Sequence, residues 1–149
     1  MIGIACDSAA FELKNKAIEF LQNRGYAVKD YGAFDSNPSD YPDFAAAAAR
    51  AVSSGEHQYG ILICGTGIGM SIAANKIKGI RCAHCCDVFS ASATREHNNA
   101  NMLAIGSRIT PEDTALKIIE VFLTTPFSTE ERHIRRVDKI GKIEEEYFK

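Results

Sequence analysis

No uninterrupted apolar run in this chain approaches the ~18–20 residues of a membrane-spanning helix, so an integral membrane protein of that kind is excluded. Charge of one sign is equally scarce. Seventeen Lys and Arg against 19 Asp and Glu leave a net −2, which offers no general attraction for nucleic acid or an anionic membrane. Any anion site must be built locally. Five cysteines, an odd number with Cys85 and Cys86 adjacent, do not make a secreted disulfide framework. Met1 to Cys6 reads straight into Asp7 rather than into a long signal-peptide apolar region. The expected location is the cytoplasm, with reduced thiols. Linkers, repeats and low-complexity stretches that would divide the chain are also missing.

What is present fits a single domain over residues 1–149. The composition, 46% hydrophobic and 24% charged, is that of a soluble globular protein. A domain of about this length buries roughly two-thirds of the surface its unfolded chain exposes, so its core needs no disulfide or metal to hold it. Ile2 to Cys6 is a short apolar strand followed by Asp7-Ser8. Ala10, Leu13, Ala17, Phe20 and Leu21 then recur at helical spacing until Gly25. A second unit follows: Tyr26 to Tyr31 alternates as a strand, Gly32 to Pro42 is a polar loop, and Phe44 to Val52 is an alanine-rich helix. In the third, the strand Tyr59 to Cys64 runs into the turn Gly65-Thr66-Gly67-Ile68-Gly69 and a helix over Met70 to Lys76. Ile80 to Cys86 and Met102 to Ile105 are further strands, Phe89 to Glu96 a helix, and Thr110-Pro111 predicts an N-cap and first position of a helix to Leu123. Alternating strands and helices predict an α/β fold, a Rossmann-like three-layer α/β/α sandwich on a five-stranded parallel sheet.

In such sheets ligands bind beyond the carboxyl ends of the strands, which directs attention to Asp7-Ser8, Asp40-Tyr41, Cys64 to Gly69, Asp87 and Gly106-Ser107-Arg108. The glycine loop lets backbone N–H groups approach an anion or oxyanion at a helix start. Two other readings stay open: a tight turn only, or part of a dinucleotide fingerprint with Asp87 about twenty residues on. Against the latter, the third glycine falls one position early. Cys64 ends a buried strand just before the glycine-rich helix start, a setting in which thiols ionise readily. Cys6 and Cys82 read as small core hydrophobes. The spacing Cys82-x-x-Cys85 around His84 is half of a zinc site, with no second pair to complete it. His97 beside Asn98 and Asn99 is either a proton-transfer group or a helix-end residue favoured by the dipole. Arg132 and Arg136, four apart, share a helical face that suits a phosphate or merely solvent.

Taken together, these parts resemble the type B ribose-5-phosphate isomerases and the related galactose-6-phosphate and allose-6-phosphate isomerases. The likeness spans essentially the whole chain. It is carried by Cys6-Asp7, Asp40-Tyr41-Pro42, the run Ile63 to Lys76, Gly79-Ile80-Arg81, Arg95 to Asn101, Gly106-Ser107-Arg108, Arg132-His133 and Arg136-Val137. The resemblance implies an aldose–ketose isomerase working through a cis-enediolate, with neither metal nor nucleotide as cofactor. It implies Cys64 as the base, amides of Gly65, Gly67, Ile68, Gly69 and Met70 around the enediolate oxygen, and Thr66 near the substrate oxygens. His97 would open the sugar ring, Asp7, Tyr41 and Asn98 would bind hydroxyls, and Arg108, Arg132 and Arg136 would clamp the phosphate. It also implies sites shared across a homodimer, with tetramers as the alternative, and a C-terminal helix at about residues 128–147 contributing to the contact. One position departs: the family usually has His after Asp7, and this chain has Ser8, which is short and neutral. Ser8 is therefore expected to alter the phosphate grip or the choice of sugar. Ribose 5-phosphate is the expected substrate. Allose or galactose 6-phosphate, or a non-catalytic sugar-phosphate-binding subunit, are the alternatives.

Overall fold

The computed structural model describes residues 1–148. Five short strands are interleaved with six helices: β1 Ile2–Cys6, α1 Phe11–Asn23, β2 Val28–Asp30, α2 Tyr41–Ser53, β3 Tyr59–Cys64, α3 Ile68–Ala74, β4 Cys82–His84, α4 Val88–Asn98, β5 Met102–Gly106, α5 Glu112–Thr124 and α6 Glu131–Tyr147. The strands form one sheet in the order β2-β1-β3-β5-β4, with every neighbouring pair parallel. The chain leaves β1 toward one edge and returns through β2 to the other side. The switch point therefore lies between β1 and β3, where a crevice opens beyond the strand ends.

Alternation along the strands divides the core into two layers. Ile4, Ile61, Ile63, Leu103 and Ile105 pack with Ala17 and Leu21 of α1, Ala91 of α4 and Ile118, Ile119 and Phe122 of α5. Leu62, Cys64, Met102 and Ala104 point the other way, onto Ala45, Ala48 and Ala49 of α2 and Met70 and Ala74 of α3. The alanine run of α2 brings that helix close to the sheet. Helix α6 touches α4 through His133 and His97, whose ring centroids are 4.5 Å apart. Farther along, Glu144 Oε1 accepts from Gly79 N–H at 2.9 Å. His97 precedes β5 and Gly79 precedes β4, so α6 lies at the amino ends of the strands. No helix among the described residues is long and apolar enough to cross a membrane.

The expected sandwich and strand number are present, with shifts at element ends. Helix α2 begins at Tyr41 rather than Phe44, because Asp40 is extended (φ −91°, ψ 107°) and Pro42 suits the first turn. The expected Thr110 cap does not form. Pro111 is the extended residue before α5 (φ −57°, ψ 151°), and Thr110 Oγ1 is buried without a hydrogen-bond partner. β4 is trimmed to three residues, and α3 starts earlier than expected and stops at Ala74. The C-terminal helix begins at Glu131, not near residue 128.

Arg95 ties three elements together. It is buried, and it donates to Asn99 Oδ1 at 3.0 Å, to the Ala100 carbonyl at 2.6 Å and to the Thr125 carbonyl at 3.2 Å. Its guanidinium also stands 4.9 Å from the Tyr59 ring centroid, a favourable cation–aromatic contact. Arg95→Met leaves the buried Ala100 carbonyl and the half-buried Thr125 carbonyl without their donor. We expect a loss of about 2–4 kcal/mol, read as a lowered urea midpoint at unchanged slope. An unchanged midpoint would contradict this role.

Candidate active site

At the β1/β3 switch point a cleft of about 410 Å³ is lined by Asp7, Tyr41, Cys64, Gly65, Thr66, Ile68, Gly69 and Arg108. Five of these eight are contributed by three βα connections and the end of β3; Ile68 and Gly69 open α3, and Tyr41 enters from the first turn of α2. The turn after β3 is set by close packing. Gly67 adopts φ +82°, a left-handed conformation that favours glycine, and a Cβ there would meet the Ile105 carbonyl carbon and the His84 ring at under 3 Å. A Cβ on Gly106 would collide with Thr66 backbone, so the turn crosses directly over the end of β5.

This geometry fixes the donors around Cys64. Gly67 N–H donates to Cys64 Sγ at 3.1 Å, and Ile68 N–H donates to Thr66 Oγ1 at 3.2 Å. The first-turn amides of Gly69 and Met70 have no helical carbonyl to bind. The Met70 side chain belongs to the core, so only its backbone can serve the site. The bare Gly69 makes room for the Tyr41 ring, which a Cβ would approach to 2.6 Å. Arg108 covers Gly65 and is anchored by its own N–H to the Gly65 carbonyl at 3.0 Å. Asp7 accepts from Ala9 N–H at 3.0 Å and so caps the 3-10 turn Ser8–Ala10. Ser8 begins that turn, outside the residues lining the cleft.

His97, Asn98, Arg132 and Arg136 are elsewhere. Helix α4 delivers His97 and Asn98 to the start of β5, whereas Cys64 is paired with Gly106 at its far end. Five strand residues at roughly 3.3 Å each separate the two groups. His97 stacks on buried His133, and Asn98 lines a separate cavity of about 470 Å³ with Arg81 and Glu144. Arg132 pairs with Glu130 at 2.8 Å, and Arg136 is exposed on the same helix. One chain thus carries the expected site residues in two groups at opposite ends of the sheet. Among the described residues no three His, Cys, Asp or Glu side chains are placed to hold a metal ion. His84 was read from sequence only as part of an incomplete metal pattern. It stands instead against Gly67, a contact that no local spacing reveals.

A thiol and a glycine turn at the switch point of a doubly wound sheet, ringed by a carboxylate, a phenol and an arginine, define a small-molecule site of the proton-transfer kind. Residues 2–140 match the sequence profile of the Ribose/Galactose Isomerase family, and the chain belongs to that family. Ribose-5-phosphate isomerase B of Escherichia coli is 43% identical over 97% of this chain and 96% of its own length. D-erythrulose-4-phosphate isomerase of Pectobacterium atrosepticum is 45% identical over 96% and 94%. The solved structure of Clostridium thermocellum ribose-5-phosphate isomerase B superimposes with a TM-score of 0.95 at 49% identity, covering 98% of each chain.

Three of the other thiols are held back by burial. Burial pushes Cys6 up to about 11, partly offset by Lys14; burial also pushes Cys82 up to about 12 and Cys85, with help from Asp87, up to about 11. At pH 8 such thiols are on the order of 0.1% ionised or less. Iodoacetamide at that pH should therefore spare Cys6, Cys82 and Cys85 in the native protein, with labelling accelerating about tenfold per pH unit toward 11. Mass mapping that finds Cys6 or Cys85 modified as fast as exposed Cys86 would contradict this.

Proposed function

We propose that the chain interconverts ribose 5-phosphate and ribulose 5-phosphate as a cytoplasmic homodimer. The observation that carries this is the Cys64 sulfur, 3.1 Å from Gly67 N–H, at the floor of a cleft that also holds Asp7, Tyr41, Thr66 and Arg108. Aldose–ketose isomerisation has no net redox change and needs one base that reaches two adjacent carbons. Deprotonated Cys64 removes the C2 proton of the open-chain aldose, and the electron pair moves onto the C1 carbonyl oxygen. The enediolate oxygen is held by amides of the Gly65 to Met70 turn, donors typically worth a few kcal/mol each in a transition state. A proton passes from O2 to O1, and Cys64 returns its proton to C1. Asp7 and Tyr41 hold sugar hydroxyls, Thr66 stands beside the reacting oxygens, and Arg108 meets the phosphate.

Ring opening falls to His97, a further hydroxyl contact to Asn98 and the rest of the phosphate grip to Arg132 and Arg136, all supplied by a second copy. Their placement at the opposite end of the sheet from Cys64 supports this, since a pentose phosphate cannot span that distance within one protomer. Exposed Ile134, Ile140 and Ile143 on α6 and Ile68 and Ile72 on α3 give a second copy apolar surface to cover. Free thiols at all five cysteines suit the reducing cytoplasm. Ser8, outside the lining, favours a second reading in which a hexose phosphate is preferred.

Cys64→Ala and His97→Asn should each be inactive with ribose 5-phosphate by proton NMR. Unfolded together and refolded as a mixture, they should recover about a quarter of the wild-type activity, because random pairing leaves one intact site in each mixed dimer. No recovery would contradict the shared site. Turnover of allose or galactose 6-phosphate alone would move the substrate, and binding without any turnover would make the chain a non-catalytic subunit.

A further inference from the structure

Lys14 occupies a place that the mechanism does not use. It is completely buried although it carries a charge, and a buried ammonium is tolerated only when paired and hydrogen-bonded. Its Nζ lies 2.9 Å from Asp30 at the end of β2 and donates to the Ala33 carbonyl. The rings of Phe11 and Phe34 stand 5.5 and 5.2 Å from it. Asp30 Oδ1 also accepts from Gly32 N–H at 2.9 Å. One cation thus fixes the whole segment from Asp30 to Phe34.

That segment is in turn fastened to two residues of the cleft. Cys6 N–H donates to the Gly32 carbonyl at 2.5 Å and Ala33 N–H to the Cys6 carbonyl at 2.7 Å, immediately before Asp7. On its other side, Gly32 has no room for a Cβ because the Phe44 ring of α2 lies 2.6 Å away from that position. Phe44 is in the same first helical turns as Tyr41. Cys64 and Thr66 lie on β3 and its following turn, which Asp7 N–H joins at the Ile63 carbonyl, 3.2 Å away, and the hydrogen bonds that hold the Asp30–Phe34 segment do not reach them.

We propose that Lys14 is a positioning residue for the sugar-binding half of the site, holding Asp7 and Tyr41 in register through the Asp30–Phe34 segment while leaving the proton-transfer half untouched. This rests on the isomerase reading. Wild-type turnover of ribose 5-phosphate tests that reading alone, and Lys14 is judged only by variants relative to wild type and by a readout that needs no turnover.

Lys14→Met and the double variant Lys14→Met/Asp30→Asn separate positioning from stability. The double variant removes the stranded carboxylate and keeps an acceptor for Gly32 N–H. In it, KM should rise roughly tenfold with kcat within about twofold of wild type, the pattern of lost ground-state binding. Hydrogen exchange should increase over residues 31–44 and stay unchanged over residues 64–76. Recovery of wild-type KM together with thermal stability in the double variant would overturn the proposal. So would a fall in kcat at constant KM, unchanged exchange over 31–44, or failure of the double variant to fold, which would assign Lys14 to stability alone.

Discussion

The hydrogen bond from Gly67 N–H to Cys64 Sγ exists because the chain crosses over β5 with no atoms to spare. Gly106 admits the Thr66 backbone, and Gly67 turns left-handed between Ile105 and His84. A side chain at either position would lift the turn away from the sheet and take the amide away from the sulfur. The parallel sheet supplies the rest. It ends β1 and β3 side by side, with Cys6 paired to Ile63, so Asp7 and Cys64 meet at the same crevice without a long loop to place them.

The same topology separates the two groups of residues that the proposed reaction would bring together. Helices that return antiparallel to the strands carry their last turns to the sheet's other end, and His97 is in such a turn. In the proposed dimer the two ends would converge where two molecules face each other. The charge distribution agrees with that division. A chain with net charge near zero keeps Arg108 at one end and Arg132 and Arg136 at the other, and the proposed dimer would bring them to one phosphate.

The sandwich, its five strands and the residues at the β1/β3 crevice were legible in the sequence, because buried strands are short apolar runs and the chemistry sits just after them. Element ends were less so: Thr110 looked like a cap, but the extended Pro111 takes that position. His97 and Cys64 were both named as site residues, yet their separation within one chain needed the helix directions. Lys14 was missed although a signal existed. Lys14, Ala17 and Leu21 fall at i, i+3 and i+7, one buried stripe of α1 that Ala10 continues just before the helix, and its partner Asp30 is sixteen residues away, beyond any local pattern. The contact of His84 with Gly67 likewise depends on strand order.

Cys64 as the base that moves hydrogen between C1 and C2 is tested most directly by isotope exchange. Ribose 5-phosphate is incubated with enzyme in D2O, and deuterium entering at C1 of ribulose 5-phosphate or at C2 of the recovered aldose is followed by NMR. Wild-type protein should introduce deuterium during turnover. Cys64→Ala, still folded by circular dichroism, should introduce essentially none. Deuterium incorporation by Cys64→Ala at the wild-type rate would contradict the sulfur as base and place proton transfer on another group of the cleft.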